Sequence, residues 1–267
     1  MSAWISLVKK EFRLGLPALL FTVIALIFIV GLAGYFGARH GHGISAAAIA
    51  ALVLIPIHIF YLLCYMFDSL QKERKKLHLW LHNPLPGYSL LLAKLVSALI
   101  AMSITLFLSC VIVLFGLKFS SDNKEIFHAF SWSNIFSTGI FSVINIYLFA
   151  LDFAIWFIFL WVFYRMLTRR IGGFLSFIIT LVLFGVLAYL DNLLSGTRFY
   201  EWLTHWGKVS LVDILTGFNF NFSLNHGSHL SVDNTTVFYI GSYVFEAIIV
   251  AILFCITSWI LDKKIEV

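Results

Sequence analysis

The chain has 267 residues, 61% of them hydrophobic and only 12% charged, with a mean hydropathy of +0.97. A water-soluble domain carries about a quarter charged residues, so this chain cannot cover a water-facing surface and is read as an all-α integral membrane protein. The formal net charge of +5 would suit a nucleic-acid partner, but the basic residues cluster between apolar runs, where they set membrane topology and call for no nucleic acid.

Crossing about 30 Å of hydrocarbon at 1.5 Å per residue takes about 20 apolar residues. Hydropathy predicts six such helices, at about 16–37, 46–67, 90–117, 140–164, 171–189 and 237–261, forming a single transmembrane domain over 1–267. Ahead of the first, Trp4, Ile5, Val8 and Phe12 share one helical face while Lys9 and Arg13 share another. Gly15 and Pro17 are expected to interrupt the helix. Residues 1–15 then form a short helix lying flat at the membrane interface, with Trp4 at headgroup depth and the lysines toward acidic lipid. The alternative is a basic flank that only fixes topology. The first apolar run is longer than the roughly 7–15 residues of a signal-peptide core, so it is expected to be retained as a span.

Between spans two and three lies "QKERKKLHLWLHNPLPGYSLLLAK", residues 71–94. On a helix Leu70, Leu77, Trp80 and Leu81 fall on one face, with Lys72, Lys75 and Leu79 directed elsewhere. Pro84 disfavours helical geometry at Asn83 and ends that helix. Pro86-Gly87 supplies a turn, and Ser89 is placed to cap span three. Lys94 enters the membrane by one turn and is expected to snorkel back to the interface. Loops that only connect spans need no apolar face; an aromatic anchor flanked by charge suits a protein docking surface. A helix resting on lipid is the alternative.

Farther along, the non-spanning stretch 190–236 contains Tyr200, Trp202 and Trp206, suited to an aromatic belt. It also contains "FNFNF" at residues 218–222, whose period-two alternation predicts a short strand or hairpin. Six spans put both termini on one side, with 13 of the 18 Lys and Arg residues. The positive-inside rule assigns that side to the cytoplasm. The three cysteines, Cys64, Cys110 and Cys255, show no CxxC spacing. Neither a disulfide framework nor a metal site is expected.

The loop's pattern resembles the permeases of type-2 ABC exporters: Glu73 in a charged segment, Trp80-Leu81, Pro84-Leu85-Pro86, then a Leu-rich helix start bearing Lys94. The motif resemblance covers about residues 68–95, and the six-span architecture with an amino-terminal amphipathic helix is similar too. It implies a plasma-membrane, bacterial permease that pairs with a second permease subunit, identical or not, and with separate cytoplasmic ABC ATPase subunits. Residues 68–89 would be the coupling loop, with Glu73, Leu77, Trp80, Leu81, Pro84 and Pro86 as its ATPase-coupling residues. The segment 190–236 would close the pathway externally. The sequence holds no G-x-x-x-x-G-K-[ST] phosphate loop, so no cofactor is expected in this chain, and ATP and Mg would be bound by the partner. Export of a peptide, antibiotic or lipid-like amphipathic substrate is the implied activity.

Three ionisable residues fall near mid-span: His58, Asp152 and Glu246. Each costs several kcal/mol to hold charged in hydrocarbon, so they face protein or water, or stay neutral. They could form a proton relay, which would make the chain a proton-coupled secondary transporter, or a site for a cationic substrate; one hydrogen bond between helices apiece is the structural alternative. No sequence repeat of the kind such transporters often carry is visible. An intramembrane enzyme is disfavoured by the lack of H-E-x-x-H and G-x-S-x-G motifs, and no catalytic residue is expected.

Overall fold

A computed structural model describes residues 3–74, 86–119, 132–210 and 237–264. The helices are α1 (Ala3–Ala38), α2 (Gly43–Ile57), α3 (Tyr61–Arg74), α4 (Gly87–Phe119), α5 (Trp132–Ile171), α6 (Gly173–Ser195), α7 (Arg198–Thr204) and α8 (Ile240–Lys264). A 3-10 turn at His58–Phe60 joins α2 to α3, and strands β1 (Lys208–Ser210) and β2 (Val237–Tyr239) pair antiparallel. Among the described residues, six helical stretches are long and apolar enough to cross a membrane: Trp4–Ala38, Gly43–Lys72, Gly87–Phe119, Phe136–Ile171, Gly173–Ser195 and Ile240–Lys263. Each overlaps one predicted span. Most run past the hydropathic edges, because their ends are amphipathic and hydropathy averages such ends away.

The amino terminus departs from expectation. The helix does not break at Gly15 or Pro17; α1 continues through both for 36 residues. Gly15 lies where a Cβ would overlap the Tyr65 side chain, so its role is to let α1 and α3 approach closely. Pro17 removes one backbone donor without ending the helix. Nor is the apolar face left to lipid. Leu7 is buried, and Trp4, Val8 and Phe12 pack against the central core; only Ile5 of the predicted face is exposed.

At the end away from the N-terminus, α1, α2 and α4 meet through small residues. A Cβ on Gly37 would collide with Ala46, and one on Gly116 would collide with Ala48. Small side chains let membrane helices pack backbone to backbone. The main core then runs toward the other end through Leu62, Met66, Leu70, Leu91, Met102, Ile158, Val162 and Leu261, all nearly inaccessible. Aromatic pairs Phe60–Phe153 and Phe67–Phe157, 5.8 Å between centroids in both cases, join the second span to α5. α5 turns into α6 at Gly172, whose φ of +83° is available cheaply only to glycine. α6 itself is largely exposed along its length, as a lipid-facing helix would be.

A strand pair flanks residues 211–236, one strand on each side: Val209 pairs with Phe238, and Ile240 N–H donates to the Gly207 carbonyl. The predicted strand at residues 218–222 lies outside the described residues. So do Leu77, Trp80, Leu81, Pro84 and the side chain of Glu73; of the coupling residues, Pro86 is described and is exposed.

Candidate functional site

Two polar constellations interrupt the apolar surfaces of the bundle, one buried and one in an open groove where Asp152 is half-buried and Glu246 exposed. The first sits where α1, α3 and α4 converge, at the end of the bundle that carries the connection between α3 and α4. Lys94, in the second turn of α4, does not snorkel outward. Its Nζ donates to Glu11 Oε2 at 2.6 Å and to Ser69 Oγ at 3.0 Å, with only 1% of the lysine and 3% of the glutamate side chain exposed. The reason is geometric: α1 continues past Gly15 and carries Glu11 into the path of the lysine, and the pair compensates two almost wholly buried charges, while Glu11 Oε1 has no hydrogen-bond partner among the described residues. Tyr65 Oη lies 3.4 Å from Ser97 Oγ, which donates to the Lys94 carbonyl at 2.8 Å. A small cavity of about 40 Å³ beside the pair is bordered by Ser69, Tyr65, Asp68 and Lys72, enough for one or two waters. At its rim Lys72 and Asp68 form a second pair at 2.6 Å, half exposed.

The start of α4 is tied as well. Ser89, the expected cap, is buried and its N–H donates to the Pro86 carbonyl. The carboxylate at this helix start comes instead from α8: Gly87 N–H donates to Asp262 Oδ1 at 2.7 Å, an anion at a positive helix terminus. Gly87 leaves no room for a Cβ beside that carboxylate. The helix ends on either side of residues 75–85 are thus each tied by polar contacts, α3 through Ser69 to Lys94 and α4 through Gly87 to Asp262.

The second constellation is a cavity of about 270 Å³ between α4, α5 and α8. It brings together Asp152 and Glu246, with Tyr243, in a wall otherwise made of Leu, Ile, Val, Ala and Phe side chains. The indole of Trp156, one turn along α5, hydrogen-bonds Asp152. Tyr243 Oη donates to Asn145 Oδ1 at 2.8 Å, and Asn145 Nδ2 donates to the Phe141 carbonyl at 2.9 Å, so α8 is pinned to α5 above the carboxyls. Asp191, at the far end of α6, is within electrostatic range of both carboxyls. Burial, together with Asp191 and Glu246, pushes the Tyr200 phenol above its ordinary value.

His58 does not join them. It is buried at the 3-10 turn that follows Pro56, and its Nδ1 donates to the Leu54 carbonyl at 3.0 Å. The turn redirects the His58 backbone N–H to Ile55, and the imidazole takes the carbonyl that an α-helical bond would have used. That bond lies within the second span. Among the described residues no cluster of three metal-ligating side chains occurs.

Glu11 was the residue that sequence reading passed over. The signal was present: Glu11 follows Leu7 by one turn and Trp4 by two, which places a carboxylate on the apolar face. No protein-family model matches the chain, and neither does any curated protein or solved structure.

Proposed function

We propose that the chain is the membrane-spanning subunit of an ATP-driven exporter, working with a second permease subunit, like or unlike, and with separate cytoplasmic ATPase subunits that bind ATP and Mg. The observation that carries this reading is the tying of the two helix ends that flank residues 75–85. The end of α3 is held by Ser69–Lys94–Glu11 and the start of α4 by Gly87–Asp262. A push delivered between two helix ends held in this way passes into α1, α3, α4 and α8 instead of being absorbed, because packed interiors transmit strain. The residues that would meet the ATPase are Glu73, Leu77, Trp80, Leu81, Pro84 and Pro86. On this reading the protein lies in a bacterial plasma membrane with both termini cytoplasmic, and the 13 basic residues of that side face the cytoplasm. Its cargo is an amphipathic molecule: a peptide, an antibiotic or a lipid-like compound.

A second reading, a proton-coupled transporter, draws on one observation, the sharing of a single cavity by Asp152 and Glu246. It loses His58 as a relay member, since that imidazole is engaged at a different place. Transport in proteoliposomes holding the chain with its co-purified partner separates the two. ATP-driven export requires ATP and survives collapse of the proton gradient by an ionophore. Transport that stops on collapse while ATP remains would replace the first reading by the second.

A further inference from the structure

We infer that the cavity between α4, α5 and α8 binds an amphipathic cation, a molecule with one fixed positive charge on a compact apolar body. This rests on the transport reading and names the class of its substrate.

Charge complementarity chooses the occupant. Two carboxyls border the cavity and no Lys, Arg or His does. The described residues around it offer Asp152 only the Trp156 indole as a donor, and the Tyr243 hydroxyl is already committed to Asn145. A carboxyl in apolar surroundings is either protonated or compensated by a counter-charge, and a bound cation supplies that counter-charge. An anion would meet like charge, and a neutral apolar molecule would leave both carboxyls uncompensated. A cation satisfies them. A third carboxyl, Asp191, extends the negative field toward the end of α6.

The rest of the wall fits the apolar body. Leu95, Ile155, Val250 and Phe254 present hydrocarbon, and Tyr243 lines the same wall with an aromatic ring of the kind that attracts cations. The volume of about 270 Å³ is close to the lower end of small-molecule sites, roughly 300–1,000 Å³. Leu92 and Leu148 at the rim are exposed, so the cavity opens sideways, the route by which a membrane-dissolved amphiphile would enter.

The test uses the full chain in lipid nanodiscs and radiolabelled tetraphenylphosphonium, a cation that cannot give up a proton. Saturable binding above that of empty nanodiscs is expected, whereas labelled tetraphenylborate, of nearly the same shape and opposite charge and measured separately because the two ions pair, should show none. Asp152→Asn with Glu246→Gln keeps the side-chain size and should weaken binding at least about tenfold, the effect of losing one good polar contact. Tyr243→Phe keeps the ring and should weaken it less. Absence of saturable cation binding to the wild type, equal affinity in the double variant, or saturable borate binding as tight as that of the cation would each overturn the assignment. The readout needs no ATPase. Cation binding with no ATPase engagement would refute the ATP-driven reading alone, and ATPase engagement with no cation binding would refute this site alone.

Discussion

Lys94→Ala should be among the most damaging single changes to this protein. The substitution removes the cation of a pair whose side chains are 1% and 3% exposed and whose charges sit 2.6 Å apart. Glu11 would be left buried with no counter-charge, and Ser69 would lose the donor at 3.0 Å. Breaking a buried pair from one side costs about 3–5 kcal/mol, because the orphaned charge keeps its full desolvation penalty. For a chain of this size each kcal/mol lowers the melting temperature by about 2–4 °C, so a fall of roughly 6–20 °C is expected. Thermal unfolding of the purified protein in detergent, followed by tryptophan fluorescence, measures it. Glu11→Gln combined with Lys94→Met leaves no ion to desolvate and should recover most of the loss. Lys72→Ala breaks only the half-exposed pair with Asp68 and should cost under about 1 kcal/mol. A fall below about 3 °C for Lys94→Ala, the size expected of an exposed pair, would refute the reasoning. So would a neutral double variant as unstable as the single one.

Gly15→Ala should destabilise the bundle by about 1–3 kcal/mol, since the added Cβ overlaps the Tyr65 ring at a closely packed crossing. Gly31→Ala, beside open space on the same helix, should be neutral or slightly stabilising; equal effects would show that the α1–α3 approach is not tight, and chemical denaturation of both variants decides. For topology, single cysteines at Gln71 and Glu201, both exposed, in a cysteine-free background should react with an impermeant thiol reagent from opposite sides of the membrane. Ser69 would be a poor choice, being bonded to Lys94. Labelling of both sites on intact cells would overturn the six-span arrangement.

The six spans were legible because a run of about 20 apolar residues has few other uses in a chain so poor in charge. What surrounds Lys94 was not. Its partner Glu11 lies 83 residues away, and no local pattern reports a contact at that separation. Glu11 also stands among Lys9, Lys10 and Arg13, where a carboxylate reads as one more solvated charge. Gly15 and Pro17 misled for a related reason. Their local preference is to break a helix, yet the packing of α1 on Tyr65 turns the glycine into a contact point and overrides it. Asp152 and Glu246 were conspicuous as charges in apolar runs, but only the parallel packing of α5 and α8 places them on one cavity. His58 was equally conspicuous, and its role follows from the backbone turn after Pro56, which hydropathy does not register.

The claim that an ATPase drives this chain through residues 75–85 is tested most directly by Trp80→Ala with Leu81→Ala, measured in the co-purified complex. Truncating a central interface aromatic commonly costs about 2 kcal/mol or more, near thirtyfold in affinity. ATPase recovery and substrate-stimulated hydrolysis should both fall in the double variant, while membrane insertion is unchanged and Lys75→Ala behaves as wild type. Equal ATPase recovery and equal stimulated hydrolysis in wild type and double variant would contradict the account.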